Sequence, residues 1–184
     1  MRIVGGRWKR TAIAVPASPG LRPTPDRVRE TLFNWLAFLR PDFSGLRGLD
    51  LFAGSGALGF EFASRGAGAV LLVERHPQRF ALLMALKTRL AAKQLEIRHG
   101  DALQIAGALA AASFDVIFLD PPFDAGLLEP ALEQACRLLA PGGLIYVETG
   151  MPLEAGRVHA LRLSPVREGR AGRVWFYLLA PDAS

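Results

Sequence analysis

From Gly48 onward the chain alternates short apolar runs with longer amphipathic stretches, and this alternation limits the fold more than any other feature. The apolar runs are Leu49 to Phe52, Ala69 to Glu74, Glu96 to Arg98, Phe114 to Asp120, Leu144 to Glu148 and Val174 to Leu179. Helical stretches lie between them, near Ala57 to Arg65, Pro77 to Ala92, Gln104 to Ala111 and Leu127 to Leu139. Strands separated by helices of this length imply right-handed crossovers and a doubly wound α/β sheet. Val116-Ile117-Phe118-Leu119 has no polar alternation, as suits a parallel strand covered on both faces. The last segment, Val158 through Arg167 to Leu179, contains only a short Gly169 to Gly172 turn. It reads as a hairpin that ends the sheet with an antiparallel strand.

The residues before Gly48 are of another kind. Met1 to Val15 carries Ile3, Val4, Trp8, Ile13 and Val15 around Gly5-Gly6, and reads as a short hairpin. Pro16, Pro19 and Pro23 make a stiff linker, and Thr24-Pro25-Asp26 reads as a helix start with Thr24 as N-cap and Pro25 at the first helical position. Val28, Leu32, Trp35, Leu36 and Leu39 give that helix an apolar stripe, and Pro41 stops it. The expected organisation is a single domain over residues 1–184: a basic hairpin and linker in 1–23, a leading helix in 24–40, and a core in 46–184.

Charge sharpens the contrast. Residues 1–29 hold seven basic side chains against Asp26, a net of +6, although the whole chain carries only +5. A basic arm of this kind points to a polyanion, most plainly a nucleic acid. The single cysteine, Cys136, excludes an internal disulfide and any cysteine-based metal cluster; it sits among Leu132 and Leu139 and reads as a core thiol. His76, His99 and His159 have no metal-ligand spacing, so no metal is expected. No window of about 20 apolar residues reads as a membrane span. The expected setting is the cytoplasm.

Chemistry concentrates where strands end. In Asp50-Leu-Phe-Ala-Gly54-Ser-Gly56-Ala-Leu-Gly59 a strand gives way to a glycine turn and then to a helix, so a ligand can approach the backbone. The three glycines also spell GxGxxG, the dinucleotide fingerprint, which taken alone is a weak signal. Glu74 closes the second strand, where it can accept from both hydroxyls of a ribose, and Asp101 follows Gly100 at the end of the third. These acids would repel the pyrophosphate of NAD and suit a nucleoside that bears a positive charge. Asp120-Pro121-Pro122-Phe123 ends the fourth strand: neither proline can donate to a ladder, and the pair stiffens the loop.

Taken together these motifs resemble those of the Rossmann-like, class I methyltransferases that use S-adenosylmethionine. DLFAGSGALG is similar to their first motif, Glu74 to their ribose acid, Gly100-Asp101-Ala102 to their adenine loop, and Asp120 to Phe123 to the [DN]-P-P-[FYW] motif of enzymes that methylate exocyclic amines. Arg2-Ile-Val-Gly-Gly-Arg-Trp-Lys-Arg10 and Arg22-Pro-Thr-Pro-Asp-Arg-Val-Arg-Glu-Thr-Leu-Phe-Asn-Trp35 narrow the match. With Tyr146-Val147-Glu148, they resemble the bacterial 16S ribosomal RNA guanine-N2 methyltransferases. The resemblance implies a mostly parallel seven-stranded sheet with an antiparallel C-terminal hairpin, a monomer, and 16S rRNA in the 30S subunit or a late assembly intermediate as partner.

It implies a catalytic loop of Asp120, Pro121, Pro122 and Phe123. It implies a cofactor site of Asp50, Phe52, Ala53, Gly54, Ser55, Gly56, Gly59, Glu74, Arg75, Asp101 and Ala102. Arg22, Pro23, Thr24, Arg29 and Glu30 would border the pocket, and Arg2, Arg7, Lys9 and Arg10 would approach RNA. By default a polar helix face such as that of Arg29 and Glu30 is solvated, and Arg167, Arg170 and Arg173 read as a charged turn. Three other readings compete: an amine methyltransferase acting on adenine in DNA or RNA, a non-catalytic RNA-binding protein that keeps a nucleoside pocket, and, weakest, a nicotinamide enzyme.

Overall fold

A computed structural model describes residues 1–15, 25–123 and 126–182. The predicted N-cap Thr24, with Arg22 and Pro23, lies outside them. Helix α1 spans Asp26–Leu39. Pro25 stands just before it instead of inside its first turn, and its carbonyl accepts from the N–H groups of Val28 and Arg29 at 3.0 and 3.1 Å. After α1 the elements are β1 (Arg47–Asp50), α2 (Ala57–Ser64), β2 (Ala69–Glu74), α3 (Pro77–Arg89) and β3 (Leu95–His99). They continue with α4 (Ala102–Ala108), β4 (Phe114–Leu119), α5 (Leu128–Leu138), β5 (Leu139–Thr149), α6 (Ala155–Ala160), β6 (Leu163–Ala171) and β7 (Val174–Pro181).

The strands form one seven-stranded sheet in the order β3-β2-β1-β4-β5-β7-β6. The five from β3 to β5 are parallel, and β7 runs antiparallel between β5 and β6. The order reverses direction between β1 and β4, which opens a crevice at the carboxyl ends of those strands. Period-two alternation divides the core. Leu72, Val116, Phe118, Tyr146 and Leu178 face α1, α2 and α3, while Leu71, Ile117, Leu119, Ile145 and Leu179 face α4, α5 and α6. Each fully buried Leu, Ile or Phe here contributes about 2 kcal/mol of transfer free energy.

Three details depart from the sequence reading. Pro141-Gly142-Gly143, whose composition suggests a turn before the strand, lies inside β5: the pairing jumps from Phe114–Leu139 to Val116–Leu144, so the extra residues bulge out. The expected hairpin begins at Val158, but Ala155–Ala160 form the short helix α6 and the strand starts only at Leu163. The N-terminal arm pairs through Arg2 and Ala12, with Ile3 N–H donating to Thr11 and Arg10 N–H to Ile3. Its turn lies at Arg7 to Arg10, beyond the expected Gly5-Gly6.

Candidate functional site

Sheet alternation, more than any single motif, builds the site. Asp50 follows Leu49 and Glu74 follows Val73, so both turn toward the α1–α2–α3 face, as Asp120 does after Leu119 and Glu148 after Val147. The strands that carry them, β2, β1, β4 and β5, are consecutive neighbours. Four carboxyl groups therefore stand in a row along one face at the carboxyl edge.

The electrostatics follow from this crowding. Asp50 is 2% exposed. Desolvation pushes its pKa up to about 7, and the charges of Glu74 and Glu148 act in the same direction against the Gly59 hydrogen bond. Asp120 keeps part of its surface open to solvent, yet desolvation first, then Glu148 and Asp50, hold its carboxyl well above the ordinary range. Tyr146 donates its hydroxyl to Glu148 Oε1 at 2.9 Å. Glu148, quoted above only as part of the resemblance, is a site residue that sequence reasoning missed; it closes an apolar strand as Glu74 does, but its place in the row depends on the strand order.

The glycine loop lies over this row. Gly54 and Gly56 have φ of +54° and +79°, conformations that a side chain would strain. Gly59 permits the close approach of α2 to the sheet, because a Cβ there would meet Leu72 at 2.8 Å and Asp50 Oδ2 at 3.1 Å. Its N–H donates to Asp50 Oδ2 at 2.9 Å. Glu74 accepts from Gly54 N–H at 2.9 Å and from His76 N–H at 2.6 Å, so the same acid holds the loop and the start of the next helix. Ala53 is buried, Phe52 and Ser55 are half-buried, and Arg75 is exposed with its carbonyl 3.0 Å from His99 Nε2.

Asp101 is the N-cap of α4: its Oδ1 accepts from Leu103 and Gln104 at 3.0 Å each, and Ala102 is buried as the first helical residue. One carboxylate oxygen thus supports the helix, and Oδ2 remains for a ligand. Phe123 is 41% exposed with its ring against Gly150, and Pro121 is buried and Pro122 exposed. A cleft of about 210 Å³ opens between Gly54, Ser55, Ile13 of the arm and Leu83 and Leu86 of α3, and none of the four acids lines it.

The arm is clamped to α2. Glu61, wholly buried, accepts from the N–H groups of Val4 and Gly5 at 2.7 Å each and from Arg65 Nε at 2.8 Å. Ser64 Oγ accepts from Trp8 N–H at 2.9 Å and donates to the Gly5 carbonyl at 2.7 Å. Arg2, Arg7, Lys9 and Arg10 are all exposed on the outside of this arm. Glu30 is exposed, but Arg29 corrects the expectation of a solvated or pocket-lining side chain. It is 0% exposed, donates to the Arg2 carbonyl at 2.8 Å and pairs with Asp26 and Glu61. Arg29 can position the arm; it has no surface with which to touch a substrate.

Comparison with known proteins agrees with this geometry. The family profile described as "Conserved hypothetical protein 95" matches residues 1–180. "Ribosomal RNA small subunit methyltransferase D" of Escherichia coli is 40% identical over 185 residues, covering 100% of this chain and 91% of that protein. The protein of the same name from Haemophilus influenzae is 42% identical over 156 residues, 81% of this chain and 78% of its own length. Among solved structures, that of yhhF from Escherichia coli superposes with a TM-score of 0.83 at 38% identity, covering 100% of this chain and 99% of that one. With a profile match over nearly its whole length, and with the Rossmann-like sheet and row of acids in place, the chain belongs to the Conserved hypothetical protein 95 family, which it shares with the small-subunit rRNA methyltransferase D proteins.

Proposed function

We propose that this protein methylates the exocyclic N2 amine of a guanine in small-subunit ribosomal RNA, with S-adenosylmethionine as donor. The observation that carries the reading is that Asp120-Pro121-Pro122-Phe123 follows β4, the neighbour of the strand β1 that leads into the glycine loop, so that Asp120 joins a row of carboxyl groups with Asp50 and Glu74. The names of the relatives supply the RNA class.

The residues fit the donor. Gly54 and Gly56 leave the backbone open to a ligand, Glu74 keeps lone pairs for ribose hydroxyls, and Asp101 keeps Oδ2 for an amine. The row of acids suits a cation and opposes a pyrophosphate, which speaks against a nicotinamide. When bound, S-adenosylmethionine supplies a methyl group activated by a positively charged sulfur.

The chain's own contribution is orientation. The lone pair of an exocyclic amine is delocalised into its ring, so the nitrogen is a poor nucleophile until it is held out of conjugation. Asp120 and a carbonyl of the Pro121-Pro122 segment accept the two N–H bonds and turn that lone pair toward the donor. A stiff loop keeps the alignment, which is worth several kcal/mol in a displacement. Phe123, exposed, stacks on the flipped base.

The test offers purified protein, labelled S-adenosylmethionine and undermodified 30S subunits, and identifies the labelled nucleoside after digestion. Label in N2-methylguanosine is expected. Label only in adenosine would select adenine methylation of RNA, and no label in any rRNA would reject the guanine reading. Asp120→Ala should lose turnover by on the order of 100-fold and keep cofactor affinity; if cofactor binding disappears instead, Asp120 belongs to the cofactor site.

A further inference from the structure

The sequence reads the β6–β7 segment as a hairpin that ends the sheet, and its arginines only as a charged turn. Sheet order gives it a place. Because β7 is antiparallel to β5 and β6 antiparallel to β7, β6 runs in the same direction as the central strands. The Gly172-Arg173 turn therefore leaves the sheet at the carboxyl edge, the edge that bears Asp120 and Phe123. Register fixes it more closely: Thr149 of β5 pairs with Trp175 of β7, and Trp175 pairs with Arg170 of β6. Next in the chain after Thr149, a Cβ on Gly150 would meet the Phe123 ring at 3.0 Å. Phe123, Gly150, Thr149, Trp175 and Arg170 thus follow one another along a single rim.

The chemistry of that rim is specific. The Arg170 guanidinium lies 4.8 Å over the Trp175 ring, and its Nε donates to the Gly172 carbonyl at 3.0 Å, so a flat cationic surface is held in place by the turn. Arg170 and Arg173 are exposed, Trp175 half-buried. Among the described residues Arg173 enters no ion pair. Between Val166 and Trp175 three arginines stand against the one acid Glu168, so the charge is complementary to phosphate. Three strand spacings, about 14 Å, separate β6 from β4. That distance is too long for contact with the base held by Asp120 and suits a nucleotide beside it.

We infer that Arg170, Arg173 and Trp175 form a second RNA-docking surface that grips a nucleotide flanking the target guanine. The inference rests on the rRNA reading above. The guanidinium plane over Trp175 takes a base by stacking, and Arg173 takes the adjacent phosphate; this is how single-stranded RNA is held without extensive base readout. The surface lies at the opposite end of the site from the basic N-terminal arm in strand order, so the substrate would be held on both sides of the reacting base.

The experiment compares wild type, Arg170→Ala with Arg173→Ala, and Trp175→Leu by steady-state methylation of undermodified 30S subunits at several salt concentrations. Thermal melts and S-adenosylmethionine affinity serve as checks on folding, and the exposed arginine pair gives a variant that does not disturb the core. Expected for the arginine pair is a KM about tenfold higher, kcat unchanged, and a salt slope reduced by about 1 to 2 for the lost phosphate contacts. Unchanged KM would overturn the inference. A raised KM with an unaltered salt slope would also overturn it, since the surface would then touch a ribosomal protein. If wild type itself labels no rRNA, the functional reading fails, whatever the variants do.

Discussion

At Asp50 the sheet and the first glycine-led helix act on one carboxyl group in opposite senses: burial, Glu74 and Glu148 raise its pKa to about 7, and the Gly59 N–H holds it down. A carboxyl group whose folded pKa lies above its unfolded value of 3.8 binds protons more tightly in the folded state. Its contribution to stability is then fully present below pH 3.8 and is lost as pH rises through about 7. Urea melts of the ligand-free protein should therefore show stability falling between about pH 4 and 7 at this site, and Asp50→Asn should flatten the fall; an equally steep fall in the variant would mean that other groups set it. Asp120 acts with the same sign, since its carboxyl is also raised. Residues of this kind were partly legible in the sequence. Glycine spacing pointed to Asp50, and the end of an apolar strand pointed to Glu74 and Asp120. Glu148 needed the strand order, because only the adjacency of β5 to β4 brings it into the row. The capping bonds of Asp101 were not visible, since they depend on α4 beginning at Ala102, two residues before the expected Gln104.

The element that organises the molecule's N-terminal side is α2. Its inward acid Glu61 replaces the hydrogen-bonding partners that the arm's backbone lacks, and Ser64 does the same one turn later. Gly6 must be glycine for the arm to lie this close: its φ is +74°, and a Cβ would sit 1.9 Å from the Ser64 carbonyl oxygen. Removing the charge from Glu61 would take away the buried one of the two anions that face Arg29 and leave it the partly exposed Asp26. Glu61→Gln should cost about 3 kcal/mol by urea denaturation, with the arm more open to proteolysis; a loss below about 0.5 kcal/mol would show that the clamp is solvated in solution. Element positions were read well wherever period and length agreed, as in β2, whose ends match the expected Ala69 to Glu74. The misses have local causes. Helix α6 is only six residues long and carries one buried side chain, Val158, so it has no apolar period to read. The bulge in β5 depends on pairing with β4, which no local pattern encodes.

On the scale of the whole molecule, the surplus of basic charge collects on the N-terminal arm. Arg7, Lys9 and Arg10 enter no ion pair among the described residues, whereas Arg2 lies 3.7 Å from Asp26. Replacing Arg7, Lys9 and Arg10 together should weaken RNA binding and lower the slope of log K against log salt by about 2 to 3. An unchanged slope would remove the arm from the RNA interface. The sheet order carries a consequence of a different kind. Strand β7 lies between β5 and β6 yet is the last to emerge in chain order. Until Val174–Pro181 has been made, the edge of β5 that bears Ile145, Tyr146 and Val147 has no neighbour in the sheet. A nascent chain of this protein therefore carries an open, apolar edge on β5 from the time that strand is made until β7 follows it, and its vulnerability to aggregation is greatest in that interval.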